Sequence, residues 1–106
     1  MNENTTSENG MALAPNEPLV REFEILNRRG LHARATAKLV QCIENFAAEV
    51  TVSRCGETVG GTSIMGILTL GAGVGSTITL TAKGREAAEV LAAVGALVAE
   101  RFGEDD

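Results

Sequence analysis

An α+β domain, with one four-stranded sheet and helices layered over one of its faces, is the fold class this sequence predicts. Three observations carry the prediction. Apolar residues alternate with Thr, Ser or Glu in short runs such as Thr77-Ile78-Thr79-Leu80-Thr81. They recur at three- and four-residue spacing elsewhere, as in Leu39, Val40 and Ile43 and again in Val90, Leu91 and Val94. The two kinds of run follow the order strand, helix, strand, strand, helix, strand, helix (βαββαβα). A strand that is apolar on alternate residues has one face to bury, and an amphipathic helix has one stripe to bury, so helices laid on a single sheet face satisfy both.

Each element has its own warrant. Residues 1–18 combine Asn, Glu, Thr, Ser and Gly with both prolines, Pro15 and Pro18, and show no periodicity, which predicts a flexible leader ahead of one domain over 19–106. From Val20 to Leu26, Phe23 and Ile25 alternate with Glu22 and Glu24, as in a half-buried strand. Just after His32 begins a helix whose apolar positions are Leu39, Val40, Ile43, Phe46 and Ala47, with Lys38, Gln41, Glu44 and Asn45 on the other face. Val50 and Val52 alternate with Thr51 and Ser53, and Cys55-Gly56-Glu57 turns the chain into a short strand through Val59, which makes a hairpin. Thr62 or Ser63 caps a short helix carrying Ile64, Met65, Ile67 and Leu68, and the glycines Gly71, Gly73 and Gly75 end it as turn residues. Residues 77–81 form a strand with one wet face. The stripe Ala87, Val90, Leu91, Val94, Leu97 and Val98 predicts a last helix from Arg85 to Phe102.

Composition narrows the functions. A chain of 106 residues suits a single modest core. With 14 acidic against 9 basic residues the formal charge is −5, which argues against nucleic acid as the partner. Met1 to Gly10 contains no Lys or Arg, so it reads as neither a secretory signal nor a transit peptide, and no uncharged apolar run reaches membrane-spanning length. The expected location is the cytoplasm, with no membrane partner. Cys42 and Cys55 have no metal-ligand spacing, and one histidine leaves too few ligands for a structural zinc; both are expected as buried or half-buried free thiols, with no metal and no cofactor.

The chemistry is concentrated in Gly30-Leu31-His32-Ala33-Arg34-Ala35-Thr36-Ala37, which puts the only histidine at the mouth of a predicted helix and an arginine two positions later. A helix start leaves N–H groups unpaired and carries partial positive charge, so a phosphate arriving there meets donors already aimed at it. Neutral imidazole is nucleophilic and titrates near physiological pH, so His32 can accept a phosphoryl group and later surrender it. Arg34 adds a permanent planar cation, and the backbone N–H groups of Ala33 and Arg34 complete the cradle. Arg28 and Arg29 crowd the same loop, while acids gather at Glu104, Asp105 and Asp106.

From about Glu22 onward the chain resembles the HPr family, the small histidine phosphocarriers of bacterial phosphotransferase systems. Gly30-Leu31-His32-Ala33-Arg34 is similar to the family's active-site loop, and Ser63-Ile64-Met65-Gly66 with the run Ile67 to Gly71 is similar to its second signature, in the same order and spacing. Asn27-Arg28-Arg29-Gly30-Leu31-His32 and the acidic ending resemble the nitrogen-related branch, NPr. The resemblance implies an open-faced β-sandwich with an antiparallel sheet, a phosphoryl group carried on His32 Nδ1, and a monomer. It also implies enzyme I, charged from phosphoenolpyruvate, as donor and a IIA-type protein as acceptor, the chain itself being a carrier rather than an enzyme. Two positions depart from the family: Ala35 stands where proline usually follows the arginine, and Arg29 where a small polar residue usually precedes the glycine.

Ser63 reads first as an N-cap worth about 1 kcal/mol. By resemblance it is also a candidate regulatory phosphorylation site for a serine kinase, and Ile64, Met65 and Leu68 are candidates for an exposed patch that docks partners, while Ile67 serves the core. The alternative to a carrier is a regulatory docking module whose binding depends on phosphorylation at His32 or Ser63. A small-molecule sensor domain would need a polar-lined pocket, for which the sequence offers no sign.

Overall fold

The structure, a computed structural model, describes residues 17–104. The expected leader therefore lies outside the described residues, save for Glu17 and Pro18. The elements are β1 (Leu19–Glu24), α1 (Ala33–Glu44), β2 (Glu49–Arg54), β3 (Glu57–Gly60), α2 (Ile64–Thr69), β4 (Thr77–Lys83) and α3 (Ala87–Ala99), followed by a single 3₁₀ turn over Arg101–Gly103. The four strands form one sheet in the spatial order β1-β4-β2-β3, antiparallel throughout. The predicted α+β class and element order both stand.

Alternation decides which face is covered. On β4, Ile78, Leu80 and Ala82 are buried while Thr79 and Thr81 between them are only half-buried. Val50 and Val52 on β2 share the covered face. Leu39, Val40 and Ile43 of α1 and Val90, Leu91, Val94 and Val98 of α3 meet them in one core. Each such aliphatic side chain contributes about 1.5–3 kcal/mol when fully buried, so this single layer holds most of the stability. The hairpin closes through Cys55 and Gly56, both at positive φ (52° and 83°), the turn geometry whose twist suits two-residue loops.

Four expectations need correction. β1 ends at Glu24 rather than Leu26, because Ile25 leaves the ladder to exchange backbone hydrogen bonds with Ser76 and Gly75. α1 ends at Glu44, and Phe46 packs on the core from the connection beyond it while Ala47 is exposed. The last helix stops at Ala99, not Phe102: Arg101 and Phe102 take left-handed φ values of 57° and 56°, which reverse the chain and drive Phe102 into the core at 1% exposure. Cys55 is exposed at its turn, whereas Cys42 is half-buried and its thiol is pushed up by desolvation; both are free.

Candidate functional site

The loop between β1 and α1 is built by close packing against the loop before β4. Asn27 to Gly30 forms a turn in which Gly30 N–H donates to Asn27 O at 3.1 Å. Gly30 sits at φ 69°, and a Cβ there would lie 2.7 Å from Ala72 O and 2.8 Å from Gly73 Cα, so both conformation and space require glycine. Leu31 N–H donates to Ala72 O at 2.9 Å with its side chain in the core, and Thr36, fully buried, donates its hydroxyl to Leu31 O. Two sides of the loop are thus fixed, and His32 between them becomes the N-cap of α1.

His32 has extended backbone (φ −75°, ψ 179°), and its carbonyl accepts from Thr36 N–H at 2.8 Å. Its side chain makes no capping hydrogen bond. The N–H groups of the first turn, among them Ala33 and Arg34, therefore have no acceptor within the helix and no side-chain cap at its mouth. Ala33 and Arg34 are exposed, and Arg34 makes no hydrogen bond or ion pair with a described residue. Ala35, in the position that departs from the family pattern, is completely buried, and the helix runs through it without interruption.

The ring is half-buried, at 23% side-chain exposure, and it is engaged from an unexpected quarter. Its Nε2 lies 2.5 Å from Glu104 Oε2. The other carboxylate oxygen, Oε1, accepts from Asn27 Nδ2 at 3.0 Å, and the same amide nitrogen donates to Gly30 O at 2.9 Å. These hydrogen bonds, His32's first and Asn27's second, hold the Glu104 carboxyl below the usual carboxylate range, with smaller help from the charge of Arg29. Glu104 is accordingly a carboxylate, an acceptor only, and Nε2–H is the donor. Sequence reasoning counted Glu104 as part of an acidic ending and took Asn27 only as a mark of resemblance. The available signal was Gly103, a glycine just past an apolar stripe, which announces a helix stop and a change of direction.

The second signature lies on α2. Ser63 is its N-cap, and its Oγ accepts from Gly66 N–H at 3.1 Å. Ile64 and Met65 are exposed (41% and 71%), Leu68 is half-buried, and Ile67 is fully buried, as expected. Among the described residues there is no cluster of three His, Cys, Asp or Glu able to hold a metal ion, and no helix is long and apolar enough to cross a membrane.

An open-faced α+β sandwich presenting a lone imidazole at a helix mouth defines the class. Residues 19–100 match the family model described as the phosphotransferase-system HPr component phosphorylation site. The chain belongs to the HPr family. It is 49% identical over 88 residues to the phosphocarrier protein HPr of Cupriavidus necator, covering 83% of this chain and 99% of that one. It is also 42% identical to the phosphocarrier protein NPr of Shewanella violacea, over 81% of this chain and 94% of the relative. Among solved structures, HPr-C-His from Thermoanaerobacter tengcongensis superposes with a TM-score of 0.79 at 35% identity, covering 83% of this chain and 99% of its own.

Proposed function

We propose that this chain is a phosphocarrier that accepts a phosphoryl group on His32 from enzyme I, itself charged from phosphoenolpyruvate, and hands it to a IIA-type acceptor. The observation that carries the reading is a partly exposed imidazole on the N-cap residue of α1, which caps the helix through its backbone carbonyl alone and leaves the first-turn N–H groups without a side-chain acceptor. In the step, the lone pair of Nδ1 attacks phosphorus in line as the bond from phosphorus to the donor atom breaks, and that bond's electron pair returns to the donor. The N–H groups of Ala33 and Arg34 and the guanidinium of Arg34 receive the anion, and handing it on reverses the roles. Positioning and charge neutralisation are what such a transfer needs, and a domain this small supplies them.

The exposed Ile64 and Met65, with the edge of Leu68, form the partner-docking patch in this reading; methionine repacks easily against more than one partner. Phosphorylation of the exposed Ser63 by a serine kinase would set a dianion between that patch and the start of α2 and weaken docking, so regulation acts on recognition and leaves His32 chemistry intact. The carrier works as a cytoplasmic monomer in transient complexes that release quickly.

The test is incubation with phosphoenolpyruvate and enzyme I, followed by intact-mass and acid-lability measurements on the wild type and on His32→Ala. An acid-labile adduct on the wild type alone is expected; an adduct of equal yield on His32→Ala sinks the reading.

A further inference from the structure

We propose that Glu104 is a positioning residue for His32: its carboxylate, gripped by Asn27, holds the imidazole with Nε2 protonated and occupied, so that Nδ1 is the nitrogen left for the phosphoryl group. This rests on the phosphocarrier reading and deepens it, because it gives a reason internal to this chain for the choice of nitrogen.

Both oxygens of the carboxylate are engaged, Oε2 by the ring and Oε1 by Asn27 Nδ2, so the acceptor presented to His32 has a fixed position as well as a charge. Asn27 is completely buried, and its Nδ2 faces two acceptors, Gly30 O and Glu104 Oε1, which fixes the orientation of its amide. That orientation leaves Asn27 Oδ1 buried without a hydrogen-bond partner among the described residues. An unpaired buried acceptor is unfavourable, so the arrangement favours holding the loop and the carboxylate over satisfying the amide oxygen.

The delivery of Glu104 is equally specific. Two consecutive non-glycine residues, Arg101 and Phe102, are left-handed, a conformation that persists only where the surroundings over-determine it. The surroundings here are Phe102 in the core and Lys38 Nζ of α1 donating to Phe102 O at 2.6 Å. Phe102 and Lys38 anchor the turn, and Glu104, two residues beyond Phe102, lands on the histidine rather than in solvent. Among the described residues, no hydrogen bond is made to Nδ1.

The chemical consequence follows from counting substituents. When Nδ1 attacks phosphorus while Nε2 keeps its hydrogen, the ring gains a positive charge, and the Glu104 carboxylate lies against the N–H that shares it. On onward transfer the Nδ1–P bond breaks, its electron pair stays on Nδ1, and the proton remains on Nε2 throughout. No proton has to be moved in either direction.

The test uses phosphoramidate, a small phosphoryl donor that needs no protein partner, on the full chain and on Glu104→Ala and Glu104→Gln, with ³¹P and ¹⁵N NMR distinguishing the Nδ1 from the Nε2 adduct. Because the chain has one histidine, the ring signals need no further assignment. The wild type should give the Nδ1 adduct alone. In Glu104→Ala the Nε2 adduct, absent from the wild type, should appear beside the Nδ1 adduct, with backbone amide spectra otherwise unchanged. Glu104→Gln should recover the preference only in part, since its carbonyl can serve the ring but its amide nitrogen then faces that of Asn27. The same isomer distribution in all three proteins, or Nε2 modification of the wild type, overturns the proposal. Failure of enzyme I to charge the wild type would instead count against the carrier reading, and the isomer measurement would still stand.

Discussion

The two short loops that begin α1 and α2 solve the same local problem in opposite ways. At α2, Ser63 turns its hydroxyl inward and accepts from Gly66 N–H, so the helix closes its own start. At α1, the N-cap is His32, whose ring turns away to Glu104 and leaves the first turn without a side-chain acceptor. A helix that caps itself has fewer donors to offer, whereas one capped by its backbone alone keeps them for an arriving anion. α2 is six residues and half-exposed, suited to recognition; α1 is twelve, with Leu39, Val40 and Ile43 anchored in the core, so it holds its open end rigidly.

The sharpest way to break the contrast is to convert one start into the other. His32→Ser gives α1 the cap that α2 has, and it should abolish phosphoryl acceptance completely in the enzyme I assay. Urea unfolding should shift by no more than about 1 kcal/mol, because the new cap offsets the lost contact with Glu104. Full loss of acceptance with an intact fold separates chemistry from stability.

Next in size is Gly30→Ala. The new methyl would meet backbone atoms, Ala72 O and Gly73 Cα, at under 3 Å, in a left-handed residue, so a destabilisation of about 2–4 kcal/mol is expected in urea unfolding. Gly66→Ala at the other start meets Ser63 Oγ at 2.8 Å and Val59 Cβ at 3.0 Å. Ser63 Oγ can move only by giving up its cap and Val59 Cβ only with its strand, but Gly66 has helical backbone and no left-handed strain is added, so a smaller cost of about 1–2 kcal/mol is expected. Equal costs at the two glycines would mean the α1 loop is no more tightly built than the α2 loop.

Most of α1's start was legible in the sequence, and its supporting carboxylate was not, for a physical reason. Gly30, His32 and the periodicity from Leu39 onward are local signals: each follows from the conformations its own residues favour. The position of Glu104 depends on a chain reversal at Arg101 and Phe102, two residues with no preference for left-handed backbone, imposed by the burial of Phe102 and the reach of Lys38. The apolar stripe through Val98 to Phe102 therefore reads as one continuous helix, since Phe102 is apolar and falls four residues on. Phe102 was expected only as the end of that helix, outside the named stripe, and neither its burial nor the route to it was foreseen. Phe46 was misplaced in the same way, as a core residue credited to a helix that ends before it.

Smaller again is the cap itself. Ser63→Ala should cost about 1 kcal/mol in thermal or urea unfolding, and Ser63→Asp should be close to neutral, because Asp caps as well and its charge suits a helix start. Neither should alter acceptance from phosphoramidate at His32, while Ser63→Asp should slow transfer from enzyme I if the α2 patch docks the donor.

The smallest effect is a pH dependence belonging to the α1 side alone. The Glu104 carboxyl is depressed below its ordinary value by the hydrogen bonds from His32 and Asn27, so in this pH range the unfolded chain takes up its proton more readily than the folded one does. Its contribution to stability is therefore fully present above the ordinary carboxylate value of about 4.3 and is lost as pH falls through the lower, folded value. The part of the urea-midpoint difference between the wild type and Glu104→Ala that comes from this carboxylate should therefore shrink as pH falls below about 5. The side chain keeps 16% exposure, so solvent and salt screen part of the interaction and the change should be modest. A gap that widened below about pH 5 would mean that the hydrogen bonds favour the protonated acid, and the ring could then not be held by a carboxylate.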